Sequence, residues 1–487
     1  MESSRERRQI PEMADHEEPN ARGLFGGVFA RGGADTSDVA WLQAMLDAEA
    51  GLARALERAG LAPAGSGEAV TATARADNFD PDELGELAAL TGNPVPGLAR
   101  ALARRVPQTA VSAVHRGATS QDILDTAAML LAKRAIDVIL ADLAQAAEAA
   151  AGLAEAHRAS IMIGRTLLQQ AVPVTFGLIA AGWLTSVDEA REGLAAVRSR
   201  RLAVQFGGAA GTLASLGGAG QQVVALLAEE LGLAPPVLPW HTDRLRIIDL
   251  GAALARVGAV LGKIARDVTL LAQSEIGEVS EGGGSPAARS PDPQGPAASP
   301  RRGGSSAMPH KHNPVASIAV LGCTRQLPGL LGILVSNSEQ ELQRAAGAWH
   351  AEWEPLTAML RLTGSASSWA AELLSGLAVD TSRMAANLAA TKGLPLAEHV
   401  SSLLAGVLGP AQAHDLVAEA GARAVGAGLP LRDVLLAVPK LEERLSAAGI
   451  AAEQIDSALE PTGYLGATDA FITAALEAHR SMEVRRG

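Results

Sequence analysis

Apolar residues recur at steps of three and four along the segment 245–282. The spacing places their side chains on one face of a single helix. These residues are Leu250, Leu254, Val257, Leu261, Ile264, Val268 and Leu271. A helix over the whole segment would be roughly 50 Å long at about 1.5 Å per residue, longer than an ordinary domain needs. The pattern therefore predicts a bundle of long helices that more than one subunit shares.

The spacing of Pro and Gly separates long helices from short ones. The interval between Pro107 and Pro173 contains no proline and leaves room for a very long helix. Near the N-terminus, Ser37 or Asp38 is the expected N-cap of a helix that stops at Gly60. After about residue 365, Pro and Gly return at short intervals, which predicts several short helices.

The fold class that follows is all-α, with a central bundle of long helices flanked by two smaller helical domains. We predict an N-terminal helical domain in residues 1–110, the bundle in residues 111–364 and a C-terminal helical domain in residues 365–487. Residues 282–304 are rich in Gly, Pro, Ser and Ala and cannot support a packed core. We expect a mobile surface insertion there, with no function that the sequence explains.

Charge and composition exclude several classes of protein. The net charge of -12 disfavours nucleic acids and anionic membrane surfaces as partners. The single cysteine, Cys323, cannot form an internal disulfide, and the charged N-terminus lacks the apolar core of a signal peptide, so a cytoplasmic location is expected. The apolar run 166–187 contains Gln and Pro, which favours a helix inside the bundle over a membrane span.

One segment of this acidic protein is locally cationic. Residues 293–338 contain no Asp or Glu, whereas Arg301, Arg302, Lys311 and Arg325 are present. Asn313-Pro314 is typical of an N-cap followed by the first helical position. Free N–H groups at that helix start would favour a bound carboxylate or phosphate. By composition alone, a solvated basic loop beside an ordinary cap is the alternative.

Two further segments place polar groups at helix starts. "HRGATSQD" puts Thr119 and Ser120 at a cap position with Asp122 in the first turn, a pattern that a structural capping box would also explain. "GRTLLQQA" puts Arg165 and Thr166 at what reads as a helix junction broken by Gly. Taken singly, neither segment predicts catalysis.

Taken together, these segments resemble a known family. "GSSAMPHKHNP" resembles the signature loop of the fumarase/aspartase superfamily, and the other two segments resemble its two further conserved regions, in the expected order. The resemblance covers nearly the whole chain. It implies a homotetramer with composite active sites, each assembled from three subunits. It also implies reversible β-elimination from a small polycarboxylate through an aci-carboxylate carbanion, without a metal or organic cofactor.

The resemblance also implies roles for individual residues. Ser305 would exchange the proton at carbon, and cations and backbone donors would stabilise its alkoxide. Substrate carboxylates would be bound by Lys311, which is also a candidate catalytic residue, and by Asn313, Thr119 and Ser120. The other candidates are His115 as a catalytic residue, and a set of substrate-binding residues that comprises Arg165, Thr166, Gln169, Ser306 and Met308. The histidines, including His310 and His312, lack the spacing of a zinc site, so no metal is predicted.

Departures from the family pattern narrow the reaction. The family's third segment usually carries a histidine that pairs with a glutamate beyond the signature asparagine, but these positions are Leu167 and Ile318 here. Hydration or release of an amine would suffer from this loss. Lactonisation would not, because its nucleophile is a substrate carboxylate that is already ionised at pH 7. The sequence thus favours conversion of 3-carboxy-cis,cis-muconate to 4-carboxymuconolactone, a step of protocatechuate (β-ketoadipate) catabolism.

Further segments resemble this lactonising branch: "WHTDRLRI", "LLAQSEIGEVSEG", "GAWHAEWEPL" and "YLGATDAF". Two alternatives stay open. One is a lyase that acts on adenylosuccinate or argininosuccinate. The other is a scaffold that keeps the fold without activity, although the polar, Gly-containing signature loop would then serve no packing purpose.

Overall fold

A computed structural model describes residues 23–282, 303, 308, 311–439, 441 and 451–486. The all-α fold class is confirmed, since strands occur in the described residues as two short pairs. The predicted serine at position 305, its neighbour Ser306 and most of the insertion 282–304 lie outside the described residues.

From residue 23 onward, the N-terminal part contains five helices, two of which begin at a residue whose side chain caps the helix. They are α1 (Gly26–Phe29), α2 (Asp38–Arg58), α3 (Ser66–Thr73), α4 (Pro81–Thr91) and α5 (Val95–Arg105). The predicted cap of α2 is confirmed, because the Ser37 side chain accepts a hydrogen bond from the Ala40 N–H. Gly60, one residue beyond the C-cap, has a φ of +72°, a conformation that Gly adopts at little cost.

The predicted bundle consists of long helices that pack side by side. Its long members are α6 (Ser120–Ala156), α7 (Phe176–Arg200), α9 (Leu245–Leu271) and α12 (Trp353–Ser375). The shorter helix α8 (Gly220–Leu231) packs against α2, and the short helices α10 (Val315–Thr324) and α11 (Leu327–Ser336) pack against α9 and α12. The seven periodic apolar residues predicted for α9 are all buried. The helix ends at Leu271, about eleven residues before the predicted end, because the chain then turns into a short strand.

The C-terminal part is built from short helices, as predicted. They are α13 (Thr381–Ala389), α14 (Ala397–Leu408), α15 (Pro410–Ala427), α16 (Leu431–Leu436), α17 (Ala452–Ala458) and α18 (Thr468–Arg486). A separate hydrophobic core forms between Val400 and Ala458, whereas the N-terminal helices share one core with the bundle. The boundary predicted at residue 364 falls inside α12. The division into domains stays a prediction.

The prediction for the apolar run 166–187 is wrong for its first half. The chain forms an antiparallel hairpin of β1 (Ile161–Thr166) and β2 (Gln169–Thr175), and the helix begins only at Phe176. Pro173 and the close pairing at Gly164 explain the hairpin. A Cβ at Gly164 would lie 2.7 Å from the Val172 carbonyl oxygen, so this crossing requires glycine.

A second strand pair ties the bundle to the C-terminal part. β3 (Val279–Ser280) pairs with β4 (Ala378–Val379) directly after α9 and α12 end. Among the described residues, the segment Val315–Ser336 is long and apolar enough to cross a membrane by length and composition. It consists of the two consecutive helices α10 and α11, which pack against α9 and α12 and leave Ile318, Ile333 and Val335 exposed.

Candidate active site

The predicted hydroxyl segment forms the start of α6. Thr119 is the N-cap of this helix and Ser120 its first residue, as predicted, and both are half-buried. The Asp122 carboxylate is buried and accepts hydrogen bonds from the N–H groups of Thr119, Gly207 and Gly208, at 2.9–3.0 Å. These bonds fix the start of α6 against the loop at 207–208. The hydroxyl groups of Thr119 and Ser120 are therefore held in fixed positions.

His115 precedes this helix in an unusual backbone conformation. Its φ is +53°, which is uncommon for a residue other than Gly. Its ring Nδ1 lies 2.6 Å from Glu49 Oε1, and its backbone N–H donates to Glu49 Oε2 at 2.9 Å. Glu49 lies in the middle of α2 and is fully buried. Sequence reasoning missed this glutamate, because 66 residues separate it from the histidine.

A buried ion network stabilises the same end of the bundle. Arg244 lies between the Asp125 and Glu352 carboxylates and binds them at 2.8 Å and 2.6 Å. Trp349 Nε1 donates to Asp125 at 3.0 Å. Burial raises the pKa of Glu352 to about 7, although Arg244 opposes the shift. His350, by contrast, packs against the rings of its neighbouring tryptophans, which agrees with a structural histidine.

The predicted residues of the third segment lie on the hairpin. Arg165 makes a two-point ion pair with buried Glu278, at 2.8 and 2.9 Å, so two guanidinium nitrogens are engaged within the chain. Thr166 and Gln169 are exposed and pair with each other across the hairpin. Leu167 and Leu168 form its tip with φ values of +52° and +63°, and their side chains are 96% and 70% exposed. The hairpin tip therefore has a strained backbone and exposed apolar side chains.

The signature loop returns to the bundle at α10. Lys311 and Met308 are exposed, Asn313 is half-buried, and the Asn313 N–H donates to the Gly303 carbonyl at 2.9 Å. A Cβ at Gly303 would collide with the Asn313 carbonyl oxygen, and its φ is +81°, so this closure requires glycine.

The helix expected at Asn313-Pro314 begins one residue later than predicted. Pro314 is the N-cap of α10, which starts at Val315. The expectation of free N–H groups there is wrong, because the Glu281 carboxylate accepts hydrogen bonds from the N–H groups of Ala316 and Ser317, both at 2.8 Å. Glu281 takes the position at the helix start that a bound anion would otherwise occupy, and it closes the base of the loop.

The three segments do not meet within one chain. Thr119 and Ser120 begin α6, a helix of 37 residues that is about 55 Å long, and the hairpin follows its far end. The hairpin and the signature loop share that far end, since Glu278 binds Arg165 and Glu281 binds Ser317. Any site that uses all three segments therefore needs at least two chains.

One group of possible metal ligands occurs in the described residues. It consists of Asp188 on α7 with His479 and Glu483 on α18. The Arg191 guanidinium donates to both carboxylates, at 2.9 Å and 2.7 Å. The group is therefore a salt-bridge cluster between these two helices, away from the three segments above.

Comparisons with known proteins identify the family of the chain. A family model described as a lyase matches residues 99–329. A nitrosuccinate lyase from Streptomyces davaonensis is 44% identical over 91% of this chain and 91% of its own length. A 3-carboxy-cis,cis-muconate cycloisomerase from Pseudomonas aeruginosa is 43% identical over 92% of this chain and 94% of its own length.

Solved structures give the same result. The crystal structure of a 3-carboxy-cis,cis-muconate lactonizing enzyme from Pseudomonas putida matches with a TM-score of 0.84 and 38% identity, over 94% of this chain and 99% of that chain. A fumarate lyase from Mesorhizobium matches with a TM-score of 0.79 and 32% identity, over 91% of this chain and 96% of that chain. The chain therefore belongs to the fumarase/aspartase superfamily of lyases. Within it, the relatives named above include both lactonising and eliminating enzymes.

Proposed function

We propose that this protein is a 3-carboxy-cis,cis-muconate cycloisomerase. The proposal rests on two apolar residues, Leu167 and Ile318. They stand where the family usually has a histidine and a glutamate that transfer protons. Leu167 lies at the tip of the hairpin, and Ile318 is a half-exposed residue in the first turn of α10. Neither side chain can move a proton to an attacking water or to a leaving amine. The reaction must therefore supply its own nucleophile or its own stable leaving group.

Lactonisation meets this condition. A carboxylate oxygen of the substrate forms a C–O bond to one carbon of a double bond, and the electron pair moves to the neighbouring carbon, stabilised as an aci-carboxylate. A proton then forms the new C–H bond at that carbon. Thr119, Ser120, Lys311 and Asn313 bind the carboxylates, and Ser305 delivers the proton.

The active enzyme is a homo-oligomer, and we propose a tetramer with composite sites. The length of α6 places the hydroxyl segment and the signature loop at opposite ends of one chain. Two apolar surfaces are available for contacts between copies. One is formed by the exposed leucines of the hairpin tip, and the other by the segment Val315–Ser336, on which Ile318, Ile333 and Val335 are exposed. A second copy of the chain would cover both.

A second candidate is a lyase that acts on nitrosuccinate. Its support is the relative of that name, which is 44% identical to this chain. Elimination from nitrosuccinate would transfer a proton from the carbon next to the C–N bond to a base, for which Ser305 is the candidate. The double bond then forms as the C–N bond breaks and nitrite leaves, a stable anion that needs no proton from the enzyme. The absence of the usual proton-transfer pair is compatible with this reaction as well.

A substrate assay separates the two candidates. We expect the purified protein to abolish the ultraviolet absorbance of the conjugated diene of 3-carboxy-cis,cis-muconate, and to release no nitrite from nitrosuccinate. Nitrite release without loss of the diene would establish the second candidate instead. Adenylosuccinate and argininosuccinate are assayed as well. Activity on neither 3-carboxy-cis,cis-muconate nor nitrosuccinate would contradict both proposals.

Complementation between two inactive variants tests the composite site. One variant carries Thr119→Ala and Ser120→Ala, and the other carries Lys311→Ala. When both are co-expressed, we expect about a quarter of the sites to combine intact segments from different chains and to recover activity. Co-expression of single Thr119→Ala and Ser120→Ala chains is the control, and it should recover far less, because both changes affect one segment. No recovery in the first mixture would contradict a site that combines these two segments from different chains.

A further inference from the structure

The Glu49–His115 pair lies beside the hydroxyl segment. The sequence predicts a site role for His115, and Glu49 has no role in the mechanism described so far. Both carboxylate oxygens of Glu49 accept hydrogen bonds from one residue, through the backbone N–H and ring Nδ1 of His115. This two-point contact holds the histidine at its positive φ, a conformation that persists only where surrounding contacts enforce it. Because Nδ1 faces Glu49, the ring orientation is fixed.

The pair favours a charged histidine. Glu49 is fully buried, and His115 is its ion-pair partner among the described residues. A buried carboxylate without a neighbouring positive charge is costly, so folding favours the imidazolium over the neutral ring. Burial lowers the pKa of His115, but the hydrogen bond and charge of Glu49, together with the charge of Asp122, outweigh burial and raise this pKa.

The other charged groups near the His115 ring have hydrogen-bond partners elsewhere in the chain. Asp122 receives a hydrogen bond from the buried His241 ring at 2.6 Å, and the adjacent Arg116 donates to the Leu61 carbonyl. Arg344, from the loop before α12, donates to Gln121 on the first turn of α6. None of these groups is bonded to the His115 ring in the part of the chain that the structure describes.

The second ring nitrogen of His115 is available. Nε2 has no hydrogen-bond partner among the described residues, and a quarter of the His115 side chain is exposed. Four residues further along the chain, Thr119 starts the helix that the proposed function uses to bind a carboxylate. A substrate with three carboxylates needs more donors than one helix start supplies.

We propose that Glu49 is a positioning residue that holds His115 as an imidazolium, with its Nε2–H donated to a substrate carboxylate. The inference rests on the proposed function and deepens it by naming a determinant for a polycarboxylate substrate. In this proposal, His115 supplies a fixed positive charge at the site. The family's usual histidine on the hairpin is replaced by Leu167 in this chain.

The variant Glu49→Gln tests this role. Gln keeps the size and one acceptor for Nδ1–H, but it removes the charge that holds the proton on the ring. The donating form exists below the pKa of His115, so kcat/KM should fall as pH rises through that pKa, and in the variant the fall should occur at lower pH. At neutral pH we expect KM to rise about 10- to 100-fold, as for the loss of one charge-assisted hydrogen bond, with a smaller change in kcat.

Recovery at low pH distinguishes positioning from a structural role. Glu49→Gln should regain much of its activity at acidic pH, where the ring is protonated without help, whereas Glu49→Ala should not, because it also loses the ring orientation. The control is Asp188→Asn, which breaks a similarly buried pair with His479 at 2.8 Å on α7 and α18. This control should lower stability and leave the pH profile unchanged.

A substrate-free readout keeps the inference testable if the proposed function fails. The exchange rate of the imidazole Cε1 proton, followed by mass spectrometry against pH, reports the protonation of His115 in the intact enzyme. We expect its midpoint to shift to lower pH in Glu49→Gln and to stay unchanged in Asp188→Asn. Identical midpoints in the wild type and Glu49→Gln, or superimposable pH–rate profiles, would overturn the proposal.

Discussion

Replacement of Asp125 by alanine should lower the free energy of unfolding by about 3–5 kcal/mol, because it removes one carboxylate of a buried ion network and leaves buried N–H donors without an acceptor. Asp125 accepts hydrogen bonds from two nitrogens of Arg244 and from the indole of Trp349. Without it, the Arg244 side chain stays 1% exposed, and Glu352 is the carboxylate that remains paired with it among the described residues. Urea unfolding followed by tryptophan fluorescence measures the change, since Trp349 lies within the network.

A surface ion pair provides the matched control for this prediction. Asp137 and Arg198 form a two-point contact between α6 and α7, with side chains 47% and 35% exposed. Asp137→Ala should cost about 0–1 kcal/mol, as is usual for exposed pairs. Equal losses in the two variants would show that burial of the network does not determine its contribution.

Replacement of Ser305 by alanine should lower kcat by at least about 100-fold, the lower end of what a positioned proton-transfer group contributes. Ser305 lies outside the described residues, and its role follows from the signature loop "GSSAMPHKHNP". The loss should appear mainly in kcat, because alanine removes the group that delivers the proton and leaves the carboxylate-binding residues in place. Steady-state kinetics with 3-carboxy-cis,cis-muconate measure both constants.

The neighbouring serine is the control for the second prediction. Ser306→Ala should raise KM with a small effect on kcat, since Ser306 is predicted to bind substrate without proton transfer. Gel filtration should show the same oligomer for both variants and the wild type. Near-normal kcat in Ser305→Ala would exclude this serine as the proton donor, whichever substrate the enzyme uses.

Local signals were sufficient for the helices and for some of their ends. The caps at Ser37 and Thr119 were predicted because a cap depends on three or four consecutive residues. The buried face of α9 was predicted because helical periodicity is visible within one segment. The prediction of a helix over the apolar run 166–187 failed for its first half, where the chain forms a hairpin, since an apolar run has no period that separates strand from helix.

What the sequence determined by itself was the all-α class, the helical faces, the caps and membership of the superfamily, since each is encoded in short stretches of the chain. The tertiary structure alone decided which groups meet. It paired Glu49 with His115, placed Glu281 at the start of α10, and separated the hydroxyl segment from the signature loop by the length of α6. These contacts join residues that are distant in sequence, and their geometry depends on how the helices pack rather than on any local pattern.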